Sequence, residues 1–236
     1  MIDILTYEYS QRIKAKKFFV IHIKQLGGKG VWCRSGTTDP DVLRTTFFNQ
    51  YELPPLPLPE YCTILDLGSN VGYTIAHLKH AYPHARIVGV EMDKENFEVC
   101  KKNTESYEGC ELLNAAVWTS DGLVEYGGQD EQSYAVSSTG TYQKIQSITI
   151  PTLIEQYGIE KIDYLKMDIE GAEIPIFKEN LDWLRIVMSA KIEVHFAKDA
   201  ERQETMPSFI DMLSKHGFSA REDSHHWSTV IAVRNT

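Results

Sequence analysis

The 236-residue sequence lacks an apolar run long enough to cross a bilayer, and no basic stretch precedes an apolar core near its start. We therefore expect neither a membrane span nor a secretory signal, and no membrane contact. Its four cysteines, Cys33, Cys62, Cys100 and Cys110, have neither metal-ligand spacing nor the pattern of a disulfide framework. They are interpreted as reduced thiols of a cytoplasmic protein.

The chain also lacks an excess of positive charge. It carries 24 lysines and arginines against 33 acidic residues, a net charge of −9. Nucleic-acid binding normally needs a basic surface, so no nucleic-acid partner is predicted. Internal repeats and low-complexity tracts are absent from the sequence as well. The length fits one α/β domain with an N-terminal addition.

A third absence is the GxGxxG fingerprint of dinucleotide-binding folds. The apolar run Thr63–Leu67 predicts a buried parallel strand, and the order that follows is D-x-G-x-N-x-G. Asn70 stands where the second glycine of the fingerprint would be, and Asp66 lies at the strand end. A carboxylate there suits a cationic amine better than a diphosphate. The alternative is a turn that only joins strand to helix.

This order resembles the first motif of class I methyltransferases that use S-adenosylmethionine, whose loop wraps the methionine end of the cofactor. The resemblance implies cofactor contacts from six residues of the segment: Asp66, Gly68, Ser69, Asn70, Gly72 and Tyr73.

A second apolar run, Arg86–Glu91, ends in another acid. Glu91 follows the glycine turn by about two dozen residues, where an acid at the end of a second strand binds ribose hydroxyls. Met92 would pack on a purine face. The alternatives are a solvated acid and an ordinary core methionine. Two motifs in this order favour a nucleoside cofactor.

Residues 1–60 are predicted to form an N-terminal extension. It comprises a hairpin of Lys17–Lys24 and Val31–Arg34, then a helix over Asp41–Tyr51. The proline-rich stretch Leu53–Pro59 is a stiff extended connector.

Residues 61–236 are predicted to form the cofactor-binding core, in which strands and helices alternate, as in a parallel sheet with right-handed crossovers. Helices are expected over Lys94–Ser106 and Glu201–His216, and a short one from Pro151. The last strands, Phe218–Arg221 and Thr229–Val233, are expected to close the sheet as an antiparallel pair.

The middle of the core departs from simple alternation. Glu111–Val117 is predicted as the third core strand, and its small residues Ala115 and Ala116 leave room for a flat base; tight core packing explains them equally well. Two further strands are expected, around a polar loop, Gln129–Thr141, that would lie over the cofactor cleft. These strands are Leu123–Tyr126 and Ile145–Ile150.

The strongest concentration of acids follows the fourth core strand, Ile162–Asp168. Asp168, Glu170 and Glu173 share one strand-to-helix turn, where they repel each other unless a positive partner is near. A sulfonium with its amino group is one such partner, and a divalent metal is another. The alternative for Glu170 or Glu173 is stabilisation by the N-terminus of the next helix.

A fifth strand is predicted over Ile186–Phe196 and carries Glu193 and His195 near its end. In open α/β sheets ligands lie at the carboxyl ends of the strands. The fold rule therefore gathers these two side chains with Asp66, Glu91 and Asp168 along one edge.

Several motifs together resemble the FkbM-type family of class I methyltransferases, over roughly Val31 to Phe196. They are Arg34–Asp39, Leu65–Gly72, Val90–Glu91, Lys166–Glu173 and Glu193–His195. The match is specific at the Asp168 motif and generic at the glycine loop. It implies an α/β, Rossmann-like fold with a mostly parallel seven-stranded sheet and helices on both faces.

The resemblance also implies S-adenosylmethionine as cofactor, S-adenosylhomocysteine as product, and O-methylation of a hydroxyl on a sugar, polyketide or related metabolite. Asp168 would hold the methionine end of the cofactor or the reacting hydroxyl, and Glu193 or His195 would supply the base. A structural role for His195 is the alternative. Oxygen ligation of a metal by Asp168 and Glu193 is compatible with the residues, but no metal site is predicted.

Two competing interpretations remain open. A nicotinamide-dependent oxidoreductase is disfavoured by Asn70 in the glycine turn and by the lack of an obvious Tyr-x-x-x-Lys pair beside a catalytic serine. A cofactor-binding domain that has lost activity and serves as a partner subunit is disfavoured by the intact acids. The expected partner is a small-molecule hydroxyl substrate, and a homo-oligomer is compatible with the sequence.

Overall fold

The computed structural model describes residues 15–127, 135–136, 143–196 and 199–235. The strands are β1 (Lys17–His22), β2 (Gly30–Ser35), β3 (Thr63–Leu67), β4 (Arg86–Glu91), β5 (Cys110–Asn114), β6 (Ala116–Val117), β7 (Gly122–Gly127), β8 (Ala135–Val136), β9 (Gln143–Ile148), β10 (Tyr164–Met167), β11 (Ser189–Glu193), β12 (Phe218–Glu222) and β13 (Thr229–Arg234). The α-helices are α1 (Asp39–Arg44), α2 (Tyr73–Ala81), α3 (Lys94–Thr104), α4 (Ile150–Gln156), α5 (Glu173–Ile176) and α6 (Asp199–Lys215).

The centre of the fold is a seven-stranded sheet in the order β12-β13-β11-β10-β3-β4-β5. Strands β11, β10, β3, β4 and β5 are mutually parallel, and β13 is antiparallel to both β11 and β12. The mostly parallel seven-stranded sheet and its antiparallel closing pair are therefore confirmed. Strands β4 and β5 follow β3 in order on one side of it, and β10 pairs with the other side of β3. The strand order reverses between β3 and β10, where ligands of open α/β sheets bind.

Both faces of the sheet are covered because successive residues of a strand point to opposite sides. On one face Leu65 and Leu67 of β3 pack in a cluster that includes Leu153 of α4 and Phe209 of α6. On the other face Ile64 joins a cluster with Ile75 and Leu78 of α2. Asp66, which shares the side of Ile64, is fully buried.

The predicted strand Glu111–Val117 was wrong as a single element. Its first part belongs to β5 at the edge of the main sheet, and the chain leaves that sheet at Ala115. Residues Ala116–Val117 instead pair with β9 in a four-stranded sheet of order β6-β9-β7-β8. The amide of Trp118 donates to the carbonyl of Ile148, which fixes the chain in the second sheet. Of the predicted loop Gln129–Thr141, only residues 135–136 are among those described.

Several other predicted elements are shorter than expected, among them the fourth core strand, predicted over Ile162–Asp168 and observed over Tyr164–Met167. The helix predicted over Asp41–Tyr51 begins at Asp39, ends at Arg44, and continues as a π-type turn over Thr45–Asn49. The strand predicted over Ile186–Phe196 is limited to β11, because a 3₁₀ turn, Asp182–Ile186, precedes it. His195 therefore lies beyond the strand end, in the loop that faces the site.

The N-terminal extension packs directly on the core. Ile21 of β1, Leu43 of α1 and Phe47 share an apolar cluster with Val71 and Tyr73 at the start of α2. The predicted hairpin of β1 and β2 is present, paired from Lys17 opposite Ser35 to His22 opposite Gly30. The division of the chain at residue 60 stays a prediction.

A buried ion pair fastens this extension. The Arg34 guanidinium, 1% exposed, donates to both carboxylate oxygens of Asp39 at 2.9 and 2.7 Å, and to the side-chain oxygen of Asn96 in α3 at 2.6 Å. Charge-assisted bonds of this kind hold their partners in one orientation. No helix among the described residues combines the length and apolar character needed to cross a membrane.

Gly68 lies in the turn after β3, and its substitution tests how closely this turn packs against the turn after β10. Its φ is +85°, and a Cβ there would lie 1.7 Å from the backbone oxygen of Asp168. Gly158 also has a positive φ, +56°, but open space around it. We expect Gly68→Ala to lower the free energy of unfolding by about 3 kcal/mol or more, against about 1 kcal/mol for the control Gly158→Ala. Urea denaturation measures both, and equal losses would contradict the close approach of the two turns.

Candidate functional site

A cavity of about 480 Å³ opens at the carboxyl edge of the sheet, between the turns that follow β3 and β10. Seven of the predicted site residues line it, and they come from three separate strand ends. They are Gly68, Ser69, Asn70, Tyr73, Asp168, Glu193 and His195. Among the described residues the other predicted contacts, Asp66, Gly72, Glu91, Met92, Ala115 and Ala116, lie outside this lining.

The glycine turn and the second acid are joined by hydrogen bonds. The amides of Gly68 and Ser69 both donate to the Val90 carbonyl at 2.9 Å, and the amide of Asn70 donates to Glu91 Oε2 at 2.8 Å. Glu91 Oε1 accepts from the Asp93 amide at 2.7 Å. Burial raises the pKa of Glu91 to about 7, although the hydrogen bonds from the Asp93 and Asn70 amides lower it. Asn70 adopts a left-handed backbone, φ 48°.

The residues predicted to surround an adenine lie next to Glu91. Ala115 and Ala116 are 4% and 1% exposed, and the Ala115 amide donates to the Glu91 carbonyl at 3.2 Å. Met92 is half-buried, and its carbonyl accepts from the Asn114 side chain at 3.0 Å. Their contact with a base stays a prediction.

Gly72 and Tyr73 make contacts within the protein. A Cβ on Gly72 would lie 2.8 Å from Cys100 Sγ of α3, so this glycine permits close packing of the two helices. The Tyr73 hydroxyl donates to the Trp32 carbonyl at 2.8 Å and so ties α2 to the hairpin. Their predicted cofactor contacts stay predictions.

Beneath the glycine turn lies a buried lysine that was not among the predicted site residues. Lys166 is 5% exposed and stands opposite Asp66 in the register of β10 with β3. Its Nζ donates to the Gly68 carbonyl at 2.6 Å and lies 3.5 Å from Asp66, 3.5 Å from Glu52 and 3.7 Å from Asp168. Burial lowers the pKa of Lys166, but these three carboxylates outweigh it and hold the pKa well above its usual value.

Three carboxyl groups surround one ammonium, whose charge can balance only one of them when all three are ionised. Burial raises the pKa of Asp66, and raises that of Glu52 to about 7 despite Lys166. Neither carboxylate oxygen of Asp66 has a hydrogen-bond partner among the described residues. A buried carboxylate without donors is costly, so the floor of the site suits an added cationic group. The α-amino group and sulfonium of S-adenosylmethionine have that charge.

The other side of the cavity surrounds His195 with carboxylates. Its Nδ1 lies 3.1 Å from Glu173 Oε1, and its Nε2 lies 3.3 Å from Glu170 and 3.7 Å from Asp168. Burial lowers the pKa of His195, but its acidic neighbours, Glu173 first, raise it to about 10. Burial raises the pKa of Glu170 to about 8, and burial together with Asp168 raises that of Glu193 to about 7.

Glu173 differs from the other acids because it is fully buried. It accepts from the amides of Ile169 and Gly171, each at 3.0 Å, and lies in the first turn of α5. Glu170 instead takes a left-handed backbone, φ 53°, and its side chain reaches His195. One atom from each of Asp168, Glu170 and His195 lies within 4.8 Å of the others, a spacing compatible with a shared metal ion.

Sequence reasoning missed the wall that the extension contributes. Tyr51 and Glu52 line the cavity, and the Tyr51 ring stacks on His226 with centroids 4.9 Å apart. The Glu52 side chain accepts from Thr74. A charged residue inside the apolar strand Ile162–Asp168 was a usable signal for Lys166. Glu52 and His226 lie in irregular segments and carried no such signal.

Comparisons with known proteins identify the family of this chain. The family model described as "Methyltransferase FkbM domain" matches residues 66–220, about two thirds of the chain. Methyltransferase sdnD of Sordaria araneosa is 22% identical over 217 residues, which cover 75% of this chain and 81% of that protein.

A solved structure with similar architecture shows the same fold. The fibrillarin pre-rRNA processing protein of Methanococcus jannaschii matches with a TM-score of 0.52 and 14% identity, over 95% of this chain and 86% of that one. Such low identity shows the class I fold alone. The match of the family model over most of the chain shows more: this protein belongs to the FkbM family of methyltransferases, and S-adenosylmethionine is its methyl donor.

Proposed function

We propose that the protein transfers the methyl group of S-adenosylmethionine to a hydroxyl oxygen of a small molecule, such as a sugar, a polyketide or a related metabolite. The observation that carries the proposal is the placement of Glu193 and Asp168 in the same cavity as the glycine turn. A volume of about 480 Å³ falls within the range of small-molecule sites. The net charge of −9 disfavours a nucleic-acid acceptor.

The donor half of the site is the glycine turn with the acids around Lys166. Asp66, whose buried carboxylate has no hydrogen-bond partner among the described residues, and Asp168 would attract the α-amino group of the methionine end. Glu91, fixed by the Asn70 amide, would accept from the ribose hydroxyls. The remaining predicted contacts, Ser69, Met92, Ala115 and Ala116 among them, would complete this half.

The bound donor supplies an electrophilic methyl group on a positively charged sulfur. In the transfer an oxygen–carbon bond forms at the acceptor, the carbon–sulfur bond breaks, and its electron pair stays on sulfur, which becomes neutral. The hydroxyl proton must leave during this step, so a base has to stand beside the acceptor. The protein's part is to align oxygen, methyl and sulfur and to exclude water.

Geometry favours Glu193 over His195 as that base. Both ring nitrogens of His195 face carboxylates at 3.1 to 3.7 Å. In Glu193 the contacts to Ser228, His195 and His226 all reach Oε1, so Oε2 has no partner among the described residues. We assign Oε2 as the proton acceptor, with His195 and Asp168 placed to orient the hydroxyl.

A labelled-methyl assay tests the function. The protein is incubated with methyl-labelled S-adenosylmethionine and matched panels of hydroxyl, amine and thiol metabolites, and S-adenosylhomocysteine is quantified. We expect turnover with a member of the hydroxyl panel only. Transfer to amines or thiols instead would overturn the O-methylation proposal. Binding of S-adenosylhomocysteine without turnover in any panel would favour the inactive partner subunit.

Once an acceptor is identified, Glu193→Gln tests the base. Glutamine keeps the shape of the side chain but cannot take the proton, so we expect kcat to fall by about 100-fold or more. Affinity for S-adenosylhomocysteine, measured by calorimetry, should be unchanged. Glu155→Gln on the exposed surface of α4 is the control. Near-normal turnover of Glu193→Gln would remove Glu193 from the chemistry.

A further inference from the structure

We propose that Asp168, Glu170 and His195 form a binding site for one divalent metal ion. The ion lies on the His195 side of the cavity and binds the oxygen of the methyl acceptor. The role of the ion in catalysis rests on the proposed function, whereas the metal site itself does not.

The first support is convergence of mixed donors. Asp168 and Glu170 come from the turn after β10, and His195 comes from the loop after β11. One atom from each lies within 4.8 Å of the others. All three line the cavity. Divalent metals bind donor sets of carboxylate oxygens and one imidazole nitrogen. Three protein ligands leave further coordination positions of the metal open for substrate.

The second support lies outside the three ligands. Metal-bound histidines characteristically present their far ring nitrogen to a carboxylate, which fixes the tautomer and the ring orientation. Here the fully buried Glu173 has that role: Oε1 is 3.1 Å from His195 Nδ1, and two backbone amides hold the carboxylate in place. Nε2 is thereby directed toward Asp168 and Glu170, on the cavity side.

The two carboxylate oxygens of Asp168 have different neighbours. Oδ2 faces Lys166 at 3.7 Å, and Oδ1 faces His195 Nε2 at 3.7 Å. Neither Asp168 nor Glu170 accepts a side-chain hydrogen bond from any described residue, so their only partners are ion pairs. Oδ1 is therefore available to an ion while Oδ2 still faces the lysine.

These donors favour a cation of intermediate hardness. Carboxylates suit Mg²⁺ and Mn²⁺, and an imidazole shifts the preference toward Mn²⁺ and later transition metals. Bound there, the ion would act as a Lewis acid that lowers the pKa of a coordinated hydroxyl. The proton still passes to Glu193, whose Oε2 is not used by the proposed ligands.

Direct binding of Mn²⁺ tests the site. Chelator-treated full-length protein is titrated with MnCl₂ by calorimetry, and the bound ion is examined by pulsed electron paramagnetic resonance. We expect one ion per chain and a coupling to one imidazole nitrogen. His195→Gln should abolish that coupling, and Asp168→Asn and Glu170→Gln should each weaken binding by about tenfold or more. The exposed Glu179→Gln should bind as wild type does.

Wild-type protein that takes up no Mn²⁺ overturns the metal site, as does binding that the three ligand variants leave unchanged. Melting temperatures of the variants identify any that do not fold, and the wild-type measurement decides in that case. The two proposals fail separately. Stoichiometric Mn²⁺ without methyl transfer to any hydroxyl would refute the proposed function alone, and full turnover in metal-free protein would refute the role of the ion in catalysis alone.

Discussion

The site depends on the ion pairs that the buried ammonium of Lys166 forms with the surrounding carboxylates. This ammonium joins the extension, β3, the glycine turn and β10 through Glu52, Asp66, the Gly68 carbonyl and Asp168. Asp66, fully buried, and Glu52, 8% exposed, would not be tolerated in ionised form at such depth without a cation. The lysine therefore makes it feasible to concentrate carboxylates at the switch point. Because one ammonium balances only one of them, an additional cation such as the proposed sulfonium donor would be stabilised there.

The topology explains why acids so distant in the sequence meet. Parallel strands end at one edge, and the reversal between β3 and β10 leaves a crevice there. Asp66 lies near the end of β3, Asp168 follows β10, and Glu193 ends β11. The extension then closes one side of the crevice with Tyr51 and Glu52. The site is thus built by the edge of the sheet together with a segment outside the family match.

Much of the fold could be predicted from the sequence because the relevant patterns are local. The glycine turn, the apolar strands and the acids at their ends were recognisable from the sequence pattern, and the parallel core was predicted from the alternation of strands and helices. Periodicity gave no sign that the chain would leave the main sheet at Ala115, because an extended run looks the same in either sheet. The partition of roles among Asp168, Glu170 and Glu173 likewise depended on burial, which three neighbouring acids cannot reveal.

The charge balance at the floor of the site is tested most directly by Lys166→Met, which removes the ammonium and nearly preserves the side-chain length. The free energy of unfolding, from urea denaturation at neutral pH, should fall by about 3 kcal/mol or more, because uncompensated carboxylates stay buried. The exposed Lys178→Met should change it little. If the Lys166 variant unfolds with the wild-type free energy, the ammonium does not hold these acids together, and the account of the site is contradicted.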